Sequence, residues 1–209
     1  IRIGEVGIDI AKMMARKDRV VRELTDNVRK LLEAHKVEII QGTATLAGKN
    51  RVGVSGDSPR TLDAKNIILA AGSEPASVPG IPFDGKMIVS STEALQFDSV
   101  PPNLGIIGGG YIGIELGSVW LRLGAKVTVI EMLPDIVSTM DGQVSRRLLR
   151  ILKKQGFTFR LETRVTSAKV AAGKVNVQVA AEGKTETLEF DRLLVCVGRR
   201  PLTRGLGLE

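Results

Sequence analysis

The 209-residue sequence is 43% hydrophobic and 25% charged, enough apolar chain to bury a core in one large or two modest domains, which excludes wholesale disorder. Its 30 basic against 23 acidic residues give a formal charge of +7, yet aromatic residues make up only 3% and the cations are interspersed with acids, so a nucleic-acid partner is not expected. A single cysteine, Cys196, and a single histidine, His35, exclude an intramolecular disulfide and a Cys/His zinc site; no metal is expected, and no apolar run is long enough to span a membrane.

Between residues 10 and 35 the side chains Met13, Val20, Val21, Leu24, Val28, Leu31 and Leu32 recur every three or four positions. That spacing predicts an amphipathic helix packed through its apolar stripe on another element, with Arg16, Lys17, Arg19, Arg22, Arg29 and Lys30 facing outward. His35 falls at its end, where a cation favours the helix dipole. Residues 37–40 read as a strand. The runs 43–46, 51–54 and 61–62, punctuated by Gly48-Lys49-Asn50 and Gly56-Asp57-Ser58-Pro59, read as a small β-meander, and the run 66–71, apolar after Asn66, as a further strand. Residues 73–102 hold Pro75, Pro79, Pro82, Pro101 and Pro102 with little periodicity, the composition of a linker or crossing segment.

Beyond it, strands at 104–107, 126–131 and 157–161 alternate with helices at 111–123 and 141–155, which requires a parallel sheet covered on both faces. Antiparallel strands follow at 165–170, 175–181 and 185–190, turned at Ala172-Gly173 and Glu182-Gly183. A last apolar strand, 193–197, ends in Gly198-Arg199-Arg200-Pro201, and Cys196 within it reads as an inert core residue. Helix, strand, meander and a glycine-ended apolar strand occur in both halves, as expected of two nucleotide-binding units in tandem.

The motif that carries chemistry is Gly108-Gly109-Gly110-Tyr111-Ile112-Gly113, a G-x-G-x-x-G between an apolar strand and an amphipathic helix. Gly108 makes the tight turn, Gly110 lets the backbone approach a pyrophosphate, and Gly113 lets the helix pack close to the strand. The phosphates then meet the helix N-terminus with its free N–H groups and positive dipole end. Eighteen residues after Gly113 stands Glu131, placed to accept both ribose hydroxyls of an adenosine and to repel a 2′-phosphate. Met132-Leu133-Pro134 follows without a cation to hold that phosphate, so the site is expected to prefer NAD(H) to NADP(H).

The run GGGYIGIE from Gly108 through Ile114 to Glu115, continued by Leu116-Gly117-Ser118-Val119-Trp120 and by residues 122–128, resembles the NAD domain of the dihydrolipoamide dehydrogenases, flavoprotein disulfide oxidoreductases. Residues 153–157, 163–166 and 197–201 resemble that family in order and spacing, as do residues 67–73 and Ser90-Ser91-Thr92. The resemblance implies an α/β fold of tandem Rossmann-like domains, with a central parallel sheet and an antiparallel β-meander. Residues 1–88 would be part of an FAD domain, 89–201 an NAD domain, and 202–209 the start of the return to the FAD or central domain. It implies NAD contacts at Gly108 to Glu115, Glu131, Val165 and Gly198, with Glu115 near the nicotinamide–flavin contact. FAD contacts would fall at Ala44, Ala71, Gly72 and Ser73, largely through backbone; Ala71 stands where the family usually has threonine, so a hydroxyl contact is lost there.

The reaction implied is oxidation of dihydrolipoamide by an active-site disulfide, with electrons passing through FAD to NAD. It needs two cysteines and a base, and with one cysteine and one histidine no catalytic residue of that machinery is expected in this chain. The chain is therefore expected to be an internal piece of a longer enzyme, inactive alone, with FAD retention doubtful. The resemblance further implies a homodimer of the full-length protein, lipoyl domains of 2-oxoacid dehydrogenase complexes as partners, and a cytoplasmic location, or the mitochondrial matrix in a eukaryote. The competing readings are a non-catalytic NAD-binding module and another disulfide or metal-ion reductase of the same superfamily.

Overall fold

The computed structural model describes residue 4 and residues 7–208, and the chain divides into two units: residues 1–14 with 75–199, and residues 15–74 with 200–209. Helix α1 (Ile10–Ala34) begins where Asp9 Oδ1 accepts the Lys12 N–H at 3.0 Å, satisfying one donor of the first turn. None of its residues is buried, and Leu24, Val28 and Leu31 stay 58–60% exposed. The helix is thus where the periodicity places it, but the expectation that its stripe is packed does not hold: helical hydrogen bonds are local, whereas burial needs a second surface.

In the smaller unit β1 (Thr43–Leu46), β2 (Arg51–Ser55) and β3 (Arg60–Asp63) form an antiparallel sheet in that order, tightened by an Arg51–Asp63 ion pair at 3.0 Å. Leu46 N–H donates to Leu206 O at 2.8 Å, and Leu202 N–H to Gly72 O at 3.0 Å, so residues 202–206 return to this unit. Two expected strands are absent. Residues 37–40 and 66–71 are irregular, and Ile68 is 91% exposed. Apolar composition favours a strand, but a strand exists through a hydrogen-bonded neighbour, and neither run pairs with one. The chain passes between units at residues 14–15, within α1, and again at residues 74–75 and 199–200, within the paired strands β4 (Ser73–Pro75) and β13 (Arg199–Pro201), where Arg200 Nε holds Glu74 Oε1 at 2.7 Å.

The larger unit is built on five strands: β5 (Ile88–Val89), β6 (Asn103–Ile107), β7 (Lys126–Ile130), β8 (Thr158–Arg160) and β12 (Arg192–Val195). They lie in the order β5-β12-β6-β7-β8, every pair parallel. Helices α3 (Tyr111–Arg122) and α4 (Gly142–Gln155) connect β6 to β7 and β7 to β8, so both fall on one face. The other face carries an antiparallel sheet of β9 (Arg164–Ala171), β10 (Lys174–Ala181) and β11 (Lys184–Phe190). Alternation divides the core accordingly. Leu104, Ile106, Val127 and Val129 pack with the helices, while Ile107, Ile130 and Leu193 pack with Val175, Val177 and Phe190 of the meander. Gly105 makes the second contact feasible, since a Cβ there would stand 2.6 Å from the Phe190 ring.

Residues 73–102 are not a linker. Besides β5 they form α2 (Ser91–Ala94), closed by a capping box in which Ser90 Oγ accepts the Thr92 N–H and Glu93 accepts the Ser90 N–H. Trp120 of α3 is 2% exposed, donates its indole N–H to Ala94 O at 3.2 Å and lies 5.1 Å from the Phe97 ring. Proline content marked irregular backbone correctly, but irregular backbone can still be core.

Candidate functional site

Strand β12, the last of the parallel sheet in sequence, inserts between β5 and β6, so the chain order reverses beside β6. A crevice opens at such a point outside the C-terminal strand ends. Here it is a cavity of about 810 Å³, formed within the larger unit.

Gly108, at φ +105°, makes the turn out of β6, and a Cβ on it would collide with the Cys196 carbonyl oxygen. A Cβ on Gly113 would lie 2.6 Å from Gly108 O, so α3 sits too close to the strand for a side chain at that step. Gly110 is different: nothing lies within 4 Å of its would-be Cβ. The room in front of it belongs to the cavity that Gly110, Tyr111 and Ile112 line, and no side chain caps the N-terminus of α3. A pyrophosphate fits that space and the N–H groups of that helix end.

Glu131 follows β7 and is held before any ligand arrives. Its Oε2 accepts the Gly109 N–H at 2.6 Å and its Oε1 the Leu133 N–H at 2.9 Å. Each oxygen keeps a further lone pair, so the carboxylate can still receive two ribose hydroxyls. Residues 132–140 fold over the glycine turn: Val137 N–H donates to Gly109 O at 2.8 Å, and Ile136 is fully buried beside Gly109. Val137 has φ +43°, a conformation that costs a β-branched residue on the order of 1–3 kcal/mol and persists because that hydrogen bond and the burial hold it.

Of the residues expected to contact NAD, the structure brings Gly108, Gly110, Tyr111, Ile112, Glu131, Val165 and Gly198 to the cavity wall. Gly109 stands behind Glu131, Gly113 and Ile114 are buried in α3, and Glu115 is exposed outside the cavity. Sequence reasoning missed Val78 and Pro79, hidden in the proline-rich stretch, together with Ser138 and two cations, Arg164 and Arg199. Cys196 is not within a strand: it lies past the end of β12, half-buried on the cavity wall, and burial pushes its thiol up to about 12, which keeps it protonated and inert.

The four positions expected to meet FAD lie in the smaller unit. Ala44 faces Val54 in the β1–β2 register, Gly72 O accepts the Leu202 N–H, and Ala71 and Ser73 are exposed; none of the four lines a described cavity. Among the described residues no group of three or more His, Cys, Asp or Glu is placed to hold a metal, and no helix is long and apolar enough to cross a membrane.

A family model described as pyridine nucleotide-disulphide oxidoreductase matches residues 4–209. The chain is 49% identical to dihydrolipoyl dehydrogenase 3 of Pseudomonas aeruginosa over 97% of its own length and 44% of that protein's. It is 45% identical to the mitochondrial dihydrolipoyl dehydrogenase of Bos taurus, and 44% to that of Homo sapiens, over its whole length and 42% of theirs. Among solved structures, the Cu(II) complex of the HOCl-induced flavoprotein disulfide reductase RclA from Escherichia coli superposes with a TM-score of 0.80 at 28% identity, over 95% of this chain and 45% of that one. LpdA from Mycobacterium tuberculosis gives 0.87 at 23% identity, over 98% and 46%, a likeness of fold. The chain spans less than half the length of each of these proteins. With a parallel sheet bearing a glycine turn and an acid at its crevice, and a family match across nearly all its residues, the chain belongs to the pyridine nucleotide-disulphide oxidoreductase family.

Proposed function

We propose that this chain is the nucleotide-binding part of an NAD-dependent dihydrolipoamide dehydrogenase. In the whole enzyme dihydrolipoamide and NAD+ would become lipoamide and NADH by way of an active-site disulfide and FAD. The observation that carries the reading is Glu131, fixed by two backbone N–H groups beside the Gly108–Gly113 turn at a cavity of dinucleotide size. Gly110 gives the pyrophosphate room, the N-terminus of α3 receives its charge, Glu131 takes the adenosine ribose, and Val165 and Gly198 contact the ligand at its two ends. The bound nicotinamide supplies the hydride acceptor; what these residues do is orient it and exclude a 2′-phosphate.

On this reading residues 89–201 are the NAD domain, and residues 1–88 part of an FAD domain that uses Ala44, Ala71, Gly72 and Ser73. Residues 202–209 begin the return to the FAD or central domain. The whole protein would work as a homodimer on lipoyl domains of 2-oxoacid dehydrogenase complexes, in the cytoplasm or, in a eukaryote, the mitochondrial matrix.

The 209-residue chain should bind NADH, with NADPH at least about ten-fold weaker, because a second anion beside Glu131 is repelled. A fluorescence titration giving equal affinities would defeat the reading. The same chain should form no NADH from dihydrolipoamide and NAD+, because its single cysteine cannot make the intramolecular disulfide that the dithiol reduces. Turnover in a preparation shown by intact mass to hold no longer protein would contradict that.

A further inference from the structure

The cavity runs along the C-terminal ends of β12, β6, β7 and β8, so its two ends lie three inter-strand steps apart, about 14 Å. Gly198 and Arg199 mark the β12 end; Glu131, Thr163 and Arg164 mark the β8 end. Arg164 is exposed at the start of β9, and whereas nearby Arg160 is held by Glu186 at 3.1 Å, Arg164 makes no ion pair among the described residues. Its backbone position is tied to that of Glu131, because the preceding Thr163 N–H donates to the Glu131 backbone carbonyl at 2.9 Å. Met132 and Leu133, 62% and 42% exposed, line the same end. An adenine placed beyond a ribose on Glu131 therefore meets a cavity end lined by aliphatic surface and by a planar cation without an ion-pair partner among the described residues.

We propose that Arg164 closes the adenine end of the dinucleotide site by laying its guanidinium on the face of the base, which makes it a specificity-determining residue for the adenosine half of the ligand. The proposal rests on the NAD reading given above. A guanidinium suits this place better than an ammonium because it is planar, weakly hydrated and stacks on aromatic faces.

The test compares the wild-type 209-residue chain with Arg164→Ala and Arg164→Lys by titration with NADH, ADP-ribose, reduced nicotinamide mononucleotide and NADPH, with circular dichroism to verify the fold. Arg164→Ala should weaken NADH and ADP-ribose by a common factor of about five to thirty, leave the mononucleotide unchanged because it lacks adenosine, and not be rescued by Arg164→Lys. Unchanged NADH affinity in Arg164→Ala overturns the proposal, as does equal weakening of the mononucleotide. Full rescue by lysine, or a loss for NADPH larger than for NADH, overturns it too, since either would mark a charge contact with phosphate. Failure of the wild-type chain to bind NADH or ADP-ribose at all would instead remove the NAD reading itself and the proposal with it.

Discussion

Glu131 and Asp191 show how differently two carboxylates are used in one sheet. Glu131 sits at the C-terminal end with lone pairs left for a ligand, whereas Asp191, at the opposite end, spends its capacity on the fold. Asp191 Oδ1 accepts Lys174 Nζ at 2.7 Å, and Oδ2 accepts the Asn103 N–H at 2.8 Å and the Asn103 side-chain amide at 3.1 Å. The Lys174 hydrogen bond, with those of Asn103, outweighs burial and holds the Asp191 carboxyl below the usual carboxylate range. A folded-state pKa below the unfolded one stabilises the protein above the unfolded value and loses that stabilisation as pH falls through the folded one. Asp191→Asn should therefore cost about 1–2 kcal/mol in urea unfolding at neutral pH. The difference should shrink steadily as the pH drops below about 4, and a constant difference across that range would show that the charge is not what matters.

Among the elements, the glycine turn and α3 were legible from residue spacing because each part of the signal is local: an apolar strand, a turn residue at φ +105° and a helical stripe. Gly113→Ala tests the close approach directly. The new methyl would lie 2.6 Å from a backbone oxygen that has no flexible end to move, so α3 must shift away from β6. About 1–3 kcal/mol of stability should be lost, and NADH affinity should fall as well because the phosphate-facing helix end moves with the shift. Stability and affinity both matching wild type would mean that the helix accommodates the methyl. Strand β5 and helix α2 were not legible. They have two and four residues, and their structure comes from pairing with Leu193 and Leu194 and from contact with Trp120, none of which is near them in sequence. The unrealised strand at 66–71 is the converse case, a sequence with strand character and no partner to pair with.

For the molecule as a whole, the two units differ in what they bury. The larger contains both apolar clusters, while Val54 is the one buried apolar residue described in the smaller. Amides of α1 and β1–β3 should thus exchange with solvent through shallow local openings, while those of β6, β7 and β12 exchange near the global unfolding limit. Hydrogen-exchange mass spectrometry showing equal protection in both units would refute this. The family was legible from the run Gly108–Glu115, because its glycines answer to backbone geometry. Arg164 and Ser138 were not, because their place on the cavity wall is created by the fold of strands distant in sequence.

Strand β12 has a consequence for the order of folding. Residues 192–195 pair with 104–107 on one side, and residues 193 and 194 with 88 and 89 on the other. The middle of the sheet, and the cavity wall formed by Cys196, Val197 and Gly198, therefore waits for a segment that follows β6, β7 and β8 in the chain. Until then β5 and β6 face each other across an empty slot, each with an unpaired edge open to any passing strand. A nascent chain stopped short of Arg192 can hold the glycine turn and Glu131, but it has no closed nucleotide site.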